Sequence, residues 1–353
     1  MGIARRFEGL SRKRLDEIIE RIKKVKVVLI GDICVDIYWS ADMTKSELSR
    51  ETPHYPLPVV QERISPGAGG NAAANLMALA PQQLSVIGVV GDDWRAGCVR
   101  DAFVKLGMTT DGLVEEKGRF TNAYCKPMRF GYAGIEVEDP RLDFEGRAPI
   151  AHETELLIAE KLVERTADAD VLCVSDQFMN GCITPFVREQ IFLLAQKGLK
   201  VVVDSRYRIG DFKGVILKPN EIECSRAVGI DKAVQCKTEE DIATIVSAAE
   251  TLADKNRSDV CVTVGEHGCI TIYGKEAVFV PSVSVEPPVD TVGAGDCFLS
   301  AFSLALAAGA TYEEAGAFAN LAASVSVKKI GVTGTASPQE LIGQYEAMFG
   351  QKL

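Results

Sequence analysis

The 353-residue chain has only three histidines, His54, His152 and His267, and none falls in an HExxH run or beside paired cysteines. A zinc site therefore has no ligand set to stand on. The ten cysteines (34, 98, 125, 173, 182, 224, 236, 261, 269 and 297) include no CxxC pair, and most stand in apolar runs, as Cys173 and Cys261 do. That pattern argues against a disulfide framework and for buried free thiols in a reducing cytoplasm. No apolar run approaches the roughly 18 residues that span a bilayer, so no membrane partner is expected. The basic stretch Met1–Arg14 lacks the apolar centre of a secretory leader, and Arg6 stands where a myristoylation signal carries Ser or Thr. Positive charge is in deficit, with 39 Lys and Arg against 49 Asp and Glu. A broad nucleic-acid-binding face is not expected, although a local basic pocket is allowed. Neither GxxxxGK[ST] nor GxGxxG occurs, so neither a P-loop nor a dinucleotide fold is supported.

What is present is ordinary globular composition, 47% hydrophobic and 25% charged. Ser11–Lys24 reads as an amphipathic helix with Leu15, Ile18, Ile19 and Ile22 on one face. Strand patterns at Lys26–Ile30, Leu84–Val90, Val171–Ser175, Val201–Asp204 and Val260–Val264 alternate with helix patterns. The helices are Trp94–Leu106, Ile183–Gln196, Asp241–Ala253, Gly293–Ala308 and Glu313–Lys328. This order implies an α/β fold with a mostly parallel central sheet covered by helices on both faces. Two stretches, about 38–63 and 120–144, break the rhythm with turn formers and short alternating segments. They read as strands of a small second sheet, a lid over the main domain that would keep water from a site beneath it. The expected organisation is an N-terminal helix extension over 1–25, then one domain over 26–345 that carries the lid segments, with no second catalytic domain. Disorder is expected at Met1–Gly9 and Gly350–Leu353.

The most informative run is Asp290-Thr291-Val292-Gly293-Ala294-Gly295-Asp296, directly before an apolar helix pattern. A glycine turn at a helix start points several N–H groups one way and, with the helix dipole, makes an anion site. A carboxylate there would repel a phosphate. It makes sense as a base that takes a proton from a hydroxyl while the N–H groups hold the phosphoryl group.

Other clusters follow strands, where open parallel sheets gather ligands. Asp32 and Asp36 follow the first strand, and either could orient sugar hydroxyls, though solvated turn acids would look the same. Gly67-Ala68-Gly69-Gly70-Asn71 suits either close backbone approach to a ligand or tight helix–sheet packing. Asn220 and Glu223 face one side of a helix start and suit the water shell of Mg²⁺, or a capping box, or both. Arg206 or Arg208 could meet a phosphate or form a surface ion pair. Thr263-Val264-Gly265-Glu266-His267-Gly268 could border a nucleotide or simply turn a hairpin.

Together these motifs resemble the ribokinase-like (PfkB) carbohydrate kinases. Asp290–Asp296 looks like that family's C-terminal signature, Gly67–Asn75 like its N-terminal glycine signature, and Asn220/Glu223 like its N-x-x-E motif. The resemblance runs from about residue 26 to 338. It implies a three-layer sandwich with a β lid, and ATP and Mg²⁺ as cofactors. It further implies Asp296 as general base and an anion hole from the N–H groups of Gly293, Ala294 and Gly295. Substrate contacts are expected from Asp36, Gly69, Gly70, Asn71, Arg141 and Arg206, and nucleotide contacts from Asn220, Thr263, Gly265, Gly268 and Asn320. Glu223 would hold Mg²⁺ through water. A monovalent cation, K⁺, is implied beside Asp290 and the Gly331–Thr335 loop.

Within the family, Arg141-Leu142-Asp143-Phe144-Glu145, Ser49–Val60 and Lys329-Ile330-Gly331 resemble the kinase domain of the heptose-7-phosphate kinase/ADP-heptose synthase group. That likeness implies phosphorylation of a heptose 7-phosphate at its anomeric hydroxyl, with Arg141, Arg206, Arg208, Lys126 and Arg129 as candidates for its phosphate. The group usually shows Asp-Pro-Lys where this chain has Asp204-Ser205-Arg206, and Tyr-x-Lys-Gly where it has Gln177-Phe178-Met179-Asn180-Gly181. The group's fused nucleotidyltransferase domain is not expected here. Kinases for another sugar, a nucleoside or a ketose phosphate remain open, as does a non-catalytic sugar-binding or regulatory protein on the same fold. Exposed lid edges suggest a homodimer.

Overall fold

A computed structural model describes residues 4–131, 133–230, 236 and 238–350. In chain order the first elements are β1 (Arg5–Arg6), α1 (Arg12–Ile22), β2 (Lys26–Gly31), β3 (Ile33–Asp42), β4 (Val59–Ala68), α2 (Gly69–Ala78), β5 (Gln83–Gly91), α3 (Trp94–Lys105), β6 (Leu113–Glu116), β7 (Asn122–Phe130), β8 (Val137–Glu138) and β9 (Leu142–Phe144). Then come α4 (His152–Thr166), β10 (Val171–Asp176), α5 (Pro185–Gln196), β11 (Lys200–Ser205), β12 (Ile216–Leu217), α6 (Glu221–Ala227), α7 (Glu239–Asn256), β13 (Asp259–Thr263), β14 (Gly268–Tyr273), β15 (Glu276–Pro281), α8 (Ala294–Ala307), α9 (Tyr312–Ser326) and α10 (Pro338–Phe349).

The large sheet runs β1-β15-β14-β13-β12-β11-β10-β2-β5-β6. It is parallel from β6 to β13, and β14 is antiparallel to both of its neighbours. Side chains alternate faces along a strand, so a strand covered on both sides must be apolar throughout. β2 shows this directly. Val27 and Leu29 enter one core with α1, α2, α8 and α9, while Val28 and Ile30 enter a second with α4, α5 and α7. The result is the expected three-layer sandwich. α8 is the most deeply placed helix, with Cys297–Leu306 buried without a break, as a helix apolar all round requires.

β3 leaves β2 with only Asp32 between them and enters the small sheet, ordered β4-β3-β7-β8 with β9 also on β7. β3 pairs β4 antiparallel and β7 parallel. Both irregular stretches do contribute to this sheet, but it starts at Ile33 and continues to Ala68, beyond the expected 38–63. The small sheet thus grows from the carboxyl edge of the large one.

The N-terminus departs from expectation. Arg5–Arg6 pairs parallel with β15, and the Phe7 N–H donates to Phe279 O at 2.9 Å. Ser11 caps α1, whose Leu15, Ile18, Ile19 and Ile22 are all buried. Residues 4–22 therefore pack on the domain and are ordered from Arg5, because the unpaired edge of β15 offers them a ladder. The expectation of disorder at Met1–Ile3 and Gln351–Leu353 falls outside the described residues. α4 and α10 carry helix starts that the sequence reading passed over, Ala151 before two first-turn acids and a Ser337/Glu340 capping box.

Candidate active site

The carboxyl ends of the parallel strands converge on one place. Asp176 ends β10, Asp204–Ser205 ends β11, Lys218 follows β12 and Thr263 ends β13. A cavity of about 480 Å³ there is lined by Asp204, Arg206, Lys218, Glu223, Gly295 and Asp296 among others. A second, of about 900 Å³, runs from the first turn of α8 past the β13–β14 turn to Phe279. The two share Asn220, Thr263, Thr291 and Gly295.

Gly293 caps α8 with φ +79, and no side chain makes a capping hydrogen bond there. A Cβ at Gly293 would meet Thr333 Cγ2 at 2.3 Å, so only glycine fits both the backbone and the packing. The Ala294 N–H turns back to Thr291 O at 3.2 Å. Of the three residues expected to form an anion hole, Gly293 and Gly295 line the smaller cavity and Ala294 the larger one. The Gly295 and Asp296 N–H groups lie in the first turn, where a helix supplies no acceptor.

Asp296 is half-buried at this helix start. Burial, then the charge of Asp204, push its pKa up to about 7, with Asp36 adding to the rise. Lys218 and a hydrogen bond from Asn71 oppose it. A carboxyl poised near neutrality beside open amides suits proton abstraction at physiological pH. Asn71 thus meets Asp296 itself.

Lys218 and Asp204 form a buried ion pair at 3.2 Å. Glu223 accepts the Asn220 N–H at 2.9 Å through Oε2, and Asn220 Oδ1 accepts the Glu223 N–H at 2.8 Å. The capping box is therefore real, and it leaves Oε1 unused. Burial, then Asp204, raise the Glu223 pKa to about 6. Three acids, Asp204, Glu223 and Asp296, thus line one cavity, each with its pKa raised by burial. A hydrated divalent cation would relieve such a donor set. Among the described residues there is no group of three or more His, Cys, Asp or Glu side chains that could hold a metal ion.

Around the small sheet, Lys126 Nζ lies 3.2 Å from Asp36 Oδ2 and 2.9 Å from Tyr38 Oη. Asp36 Oδ1 is buried beside Gly67 and has no hydrogen-bond partner among the described residues. Arg141 lies over the Tyr124 ring at 4.0 Å and is engaged by both Asp143 oxygens. Arg129 pairs with Asp139 at 2.7 Å. Gly69 and Gly70 serve close packing: the Gly69 N–H donates to Asp32 O at 2.8 Å, and a Cβ on Gly70 would meet Pro66 at 2.8 Å.

Two candidates are structural. Asp32 accepts the N–H groups of Gln177, Phe178 and Cys182 at 2.7–2.8 Å, so its oxygens are consumed by that loop and do not face a sugar. Arg208 is held by Asp176 and the carbonyls of Phe178 and Met179 and is not free for phosphate. Arg206 lines the transfer cavity beside Glu223 and Asp296.

In the larger cavity, Gly265 and Gly268 have φ +57 and +118, and Val264–Gly268 is indeed the turn of the β13–β14 hairpin. Asn320 also lines it, although its Nδ2 is committed to Val280 O and Pro281 O. Asp290 Oδ1 accepts the Val292 N–H and Oδ2 accepts the Gly331 N–H, which ties the two loops expected to flank a monovalent cation. Gln177, Lys218, Thr291 and Arg6 border the cavities without having been singled out. For Lys218 the signal was there: a lysine directly after an apolar strand and before Pro219-Asn220.

All ten cysteines are free, and all but Cys98 are buried. Among the described residues no helix is long and apolar enough to cross a membrane.

The family model described as pfkB family carbohydrate kinase matches residues 24–340. The bifunctional protein HldE of Citrifermentans bemidjiense is 31% identical over 344 residues, covering 95% of this chain and 66% of that protein. The protein of the same name from Geotalea uraniireducens is 32% identical over 342 residues, with the same coverage of 95% and 66%. The chain thus spans just under two-thirds of the length of these relatives. Among solved structures, Arabidopsis thaliana ribokinase complexed with ribose and ATP superposes with a TM-score of 0.66 at 20% identity, covering 91% of this chain and 98% of its own. Escherichia coli phosphofructokinase-2 in complex with potassium gives a TM-score of 0.70 at 18% identity, covering 92% and 99%. Both are likenesses of fold.

Proposed function

The chain belongs to the pfkB family of carbohydrate kinases, and on that basis we propose that it transfers the γ-phosphoryl group of ATP to the anomeric hydroxyl of heptose 7-phosphate. One observation carries the chemistry: a carboxyl of pKa about 7 stands on the first turn of α8, where the two cavities meet. The relatives named HldE support the acceptor.

Asp296 takes the proton of the attacking hydroxyl, and Asn71 holds its carboxyl in place. The open first-turn amides of α8, with Gly293 and Gly295, receive the phosphoryl oxygens. Lys218 and Arg206 supply positive charge in the same cavity. Bound ATP would supply the phosphoryl group, and Mg²⁺, held through water by Glu223 Oε1, would offset the polyphosphate charge. Thr263, Gly265, Gly268 and Asn320 border the nucleotide. Asp36 Oδ1 orients an acceptor hydroxyl, while Lys126 and Arg141 at the small sheet meet the acceptor's phosphate. K⁺ beside Asp290, a cytoplasmic location and a homodimer through the small sheet belong to the same reading. β4 is an edge strand with Val59 and Val60 exposed, which favours pairing.

The test is ADP release with ATP and Mg²⁺ against a panel of sugars, nucleosides and sugar phosphates that includes heptose 7-phosphate. Turnover on the heptose phosphate above all others is the expected result. A preference for a different acceptor removes the heptose assignment and keeps the kinase. No transfer to any acceptor would favour a binding or regulatory role.

A further inference from the structure

We propose that Arg6, carried by the N-terminal strand β1, is a nucleotide-binding residue whose guanidinium stacks on the base of the nucleotide. The inference rests on the reading of the larger cavity as the nucleotide site. Arg6 lies outside the residues matched by the family model, 24–340.

β1 adds to the free edge of β15 with Arg6 opposite Phe279, and the Phe7 N–H locks that register. The pairing brings Arg6 to the wall of the larger cavity, with its guanidinium 5.7 Å from the centre of the Phe279 ring. Its neighbour Arg5 is neutralised by Glu313 at 2.9 Å and Glu276 at 3.9 Å. Among the described residues Arg6 has no carboxylate within ion-pair distance.

The position selects the base and not the phosphates. The phosphate end lies where the two cavities share Asn220, Thr263, Thr291 and Gly295. Arg6 and Phe279 border only the larger one, whose lining also includes Pro281, Val283, Val285 and Val289. These apolar side chains suit a flat heteroaromatic ring. A guanidinium is planar, weakly hydrated and stacks on such rings. The strand that carries Arg6 is thereby part of the nucleotide site.

Calorimetric titration of the full chain with ADP and with inorganic tripolyphosphate, both with Mg²⁺, tests this in wild type, Arg6→Ala and Arg5→Ala. The expected result is a roughly three- to tenfold weaker ADP affinity in Arg6→Ala alone, with tripolyphosphate affinity equal in all three proteins. Equal loss for ADP and tripolyphosphate overturns the base contact in favour of a phosphate contact. Equal loss of ADP affinity in Arg5→Ala and Arg6→Ala overturns it in favour of strand docking. Unchanged ADP binding in Arg6→Ala overturns the Arg6 assignment and leaves the kinase reading intact. A wild-type chain that binds no ADP overturns both.

Discussion

Lys218 Nζ sits 3.2 Å from Asp204 Oδ2, with the two side chains only 3% and 11% exposed. The pair lines the same cavity as Asp296, and its two charges act on that carboxyl in opposite senses. Breaking a buried pair from one side leaves a charge without water or partner. Lys218→Met is therefore expected to lose about 3–5 kcal/mol in urea unfolding at neutral pH. Lys218→Met combined with Asp204→Asn should recover most of that loss. An unchanged unfolding midpoint in the single variant would mean that water reaches the pair.

Asp296 makes two opposite predictions. As the base it works ionised, so kcat/KM should rise with pH through about 7. Asp296→Asn should keep ADP binding and lose about 10²–10⁴-fold in turnover. For stability the sign reverses. The folded pKa is raised above the usual carboxylate value of 3.8, so the folded state holds the proton longer than the unfolded one. Its destabilising effect is absent below 3.8, grows as pH rises toward about 7 and is complete above that. Asp296→Asn should thus be more stable than wild type by about 2 kcal/mol at pH 8 and equal to it near pH 3. Thermal unfolding at the two pH values reads this out.

Glu223 is a cap through one oxygen and a candidate metal contact through the other. Glu223→Gln keeps an acceptor for the Asn220 N–H, so its stability should stay within about 0.5–1 kcal/mol of wild type. The Mg²⁺ concentration for half-maximal transfer should rise about tenfold, read from initial rates at fixed ATP. A loss of stability without a change in Mg²⁺ dependence would reduce Glu223 to a cap.

Gly293→Ala places a methyl where Thr333 Cγ2 lies 2.3 Å away, at a backbone φ of +79. The strained backbone alone costs about 1 kcal/mol. The shift of the α8 start should lower turnover at least tenfold. Adding Thr333→Ser removes the clashing methyl and should restore part of the rate. No rescue would place the defect in the backbone conformation alone.

The elements legible in the sequence were those with strong periodicity or caps. β2, β10 and β11 read as short apolar runs because strands buried on two faces have no polar alternation to show. α1 was bounded within two residues at each end, because Ser11 caps it and its apolar face repeats. β14 and β15 are as long as β2, but they lie beside glycine turns and Glu276 and Thr271 interrupt their apolar runs, so they were passed over, and β1 is two residues long. Asp296 and Gly293 stood out because an acid on a glycine turn before an apolar helix has few structural uses.

Asp32 and Asp36 show where sequence runs out. They are four residues apart in the same motif, yet one is consumed by three loop N–H groups and the other keeps a buried oxygen without a partner among the described residues. Arg206 and Arg208 divide in the same way: Arg208 is locked onto Asp176, and Arg206 faces the transfer cavity.

Layer order, helix starts and the glycine turn before α8 follow from local rules, namely which side chains tolerate burial, which cap a helix and which permit positive φ. They were therefore written in the chain. Which oxygen of a carboxylate stays free, how far burial lifts its pKa, and that an arginine at position 6 reaches a cavity built from residues 220–327 depend on atoms distant in sequence. Electrostatics and hydrogen bonding are set by distance in space, and folding alone fixes that distance.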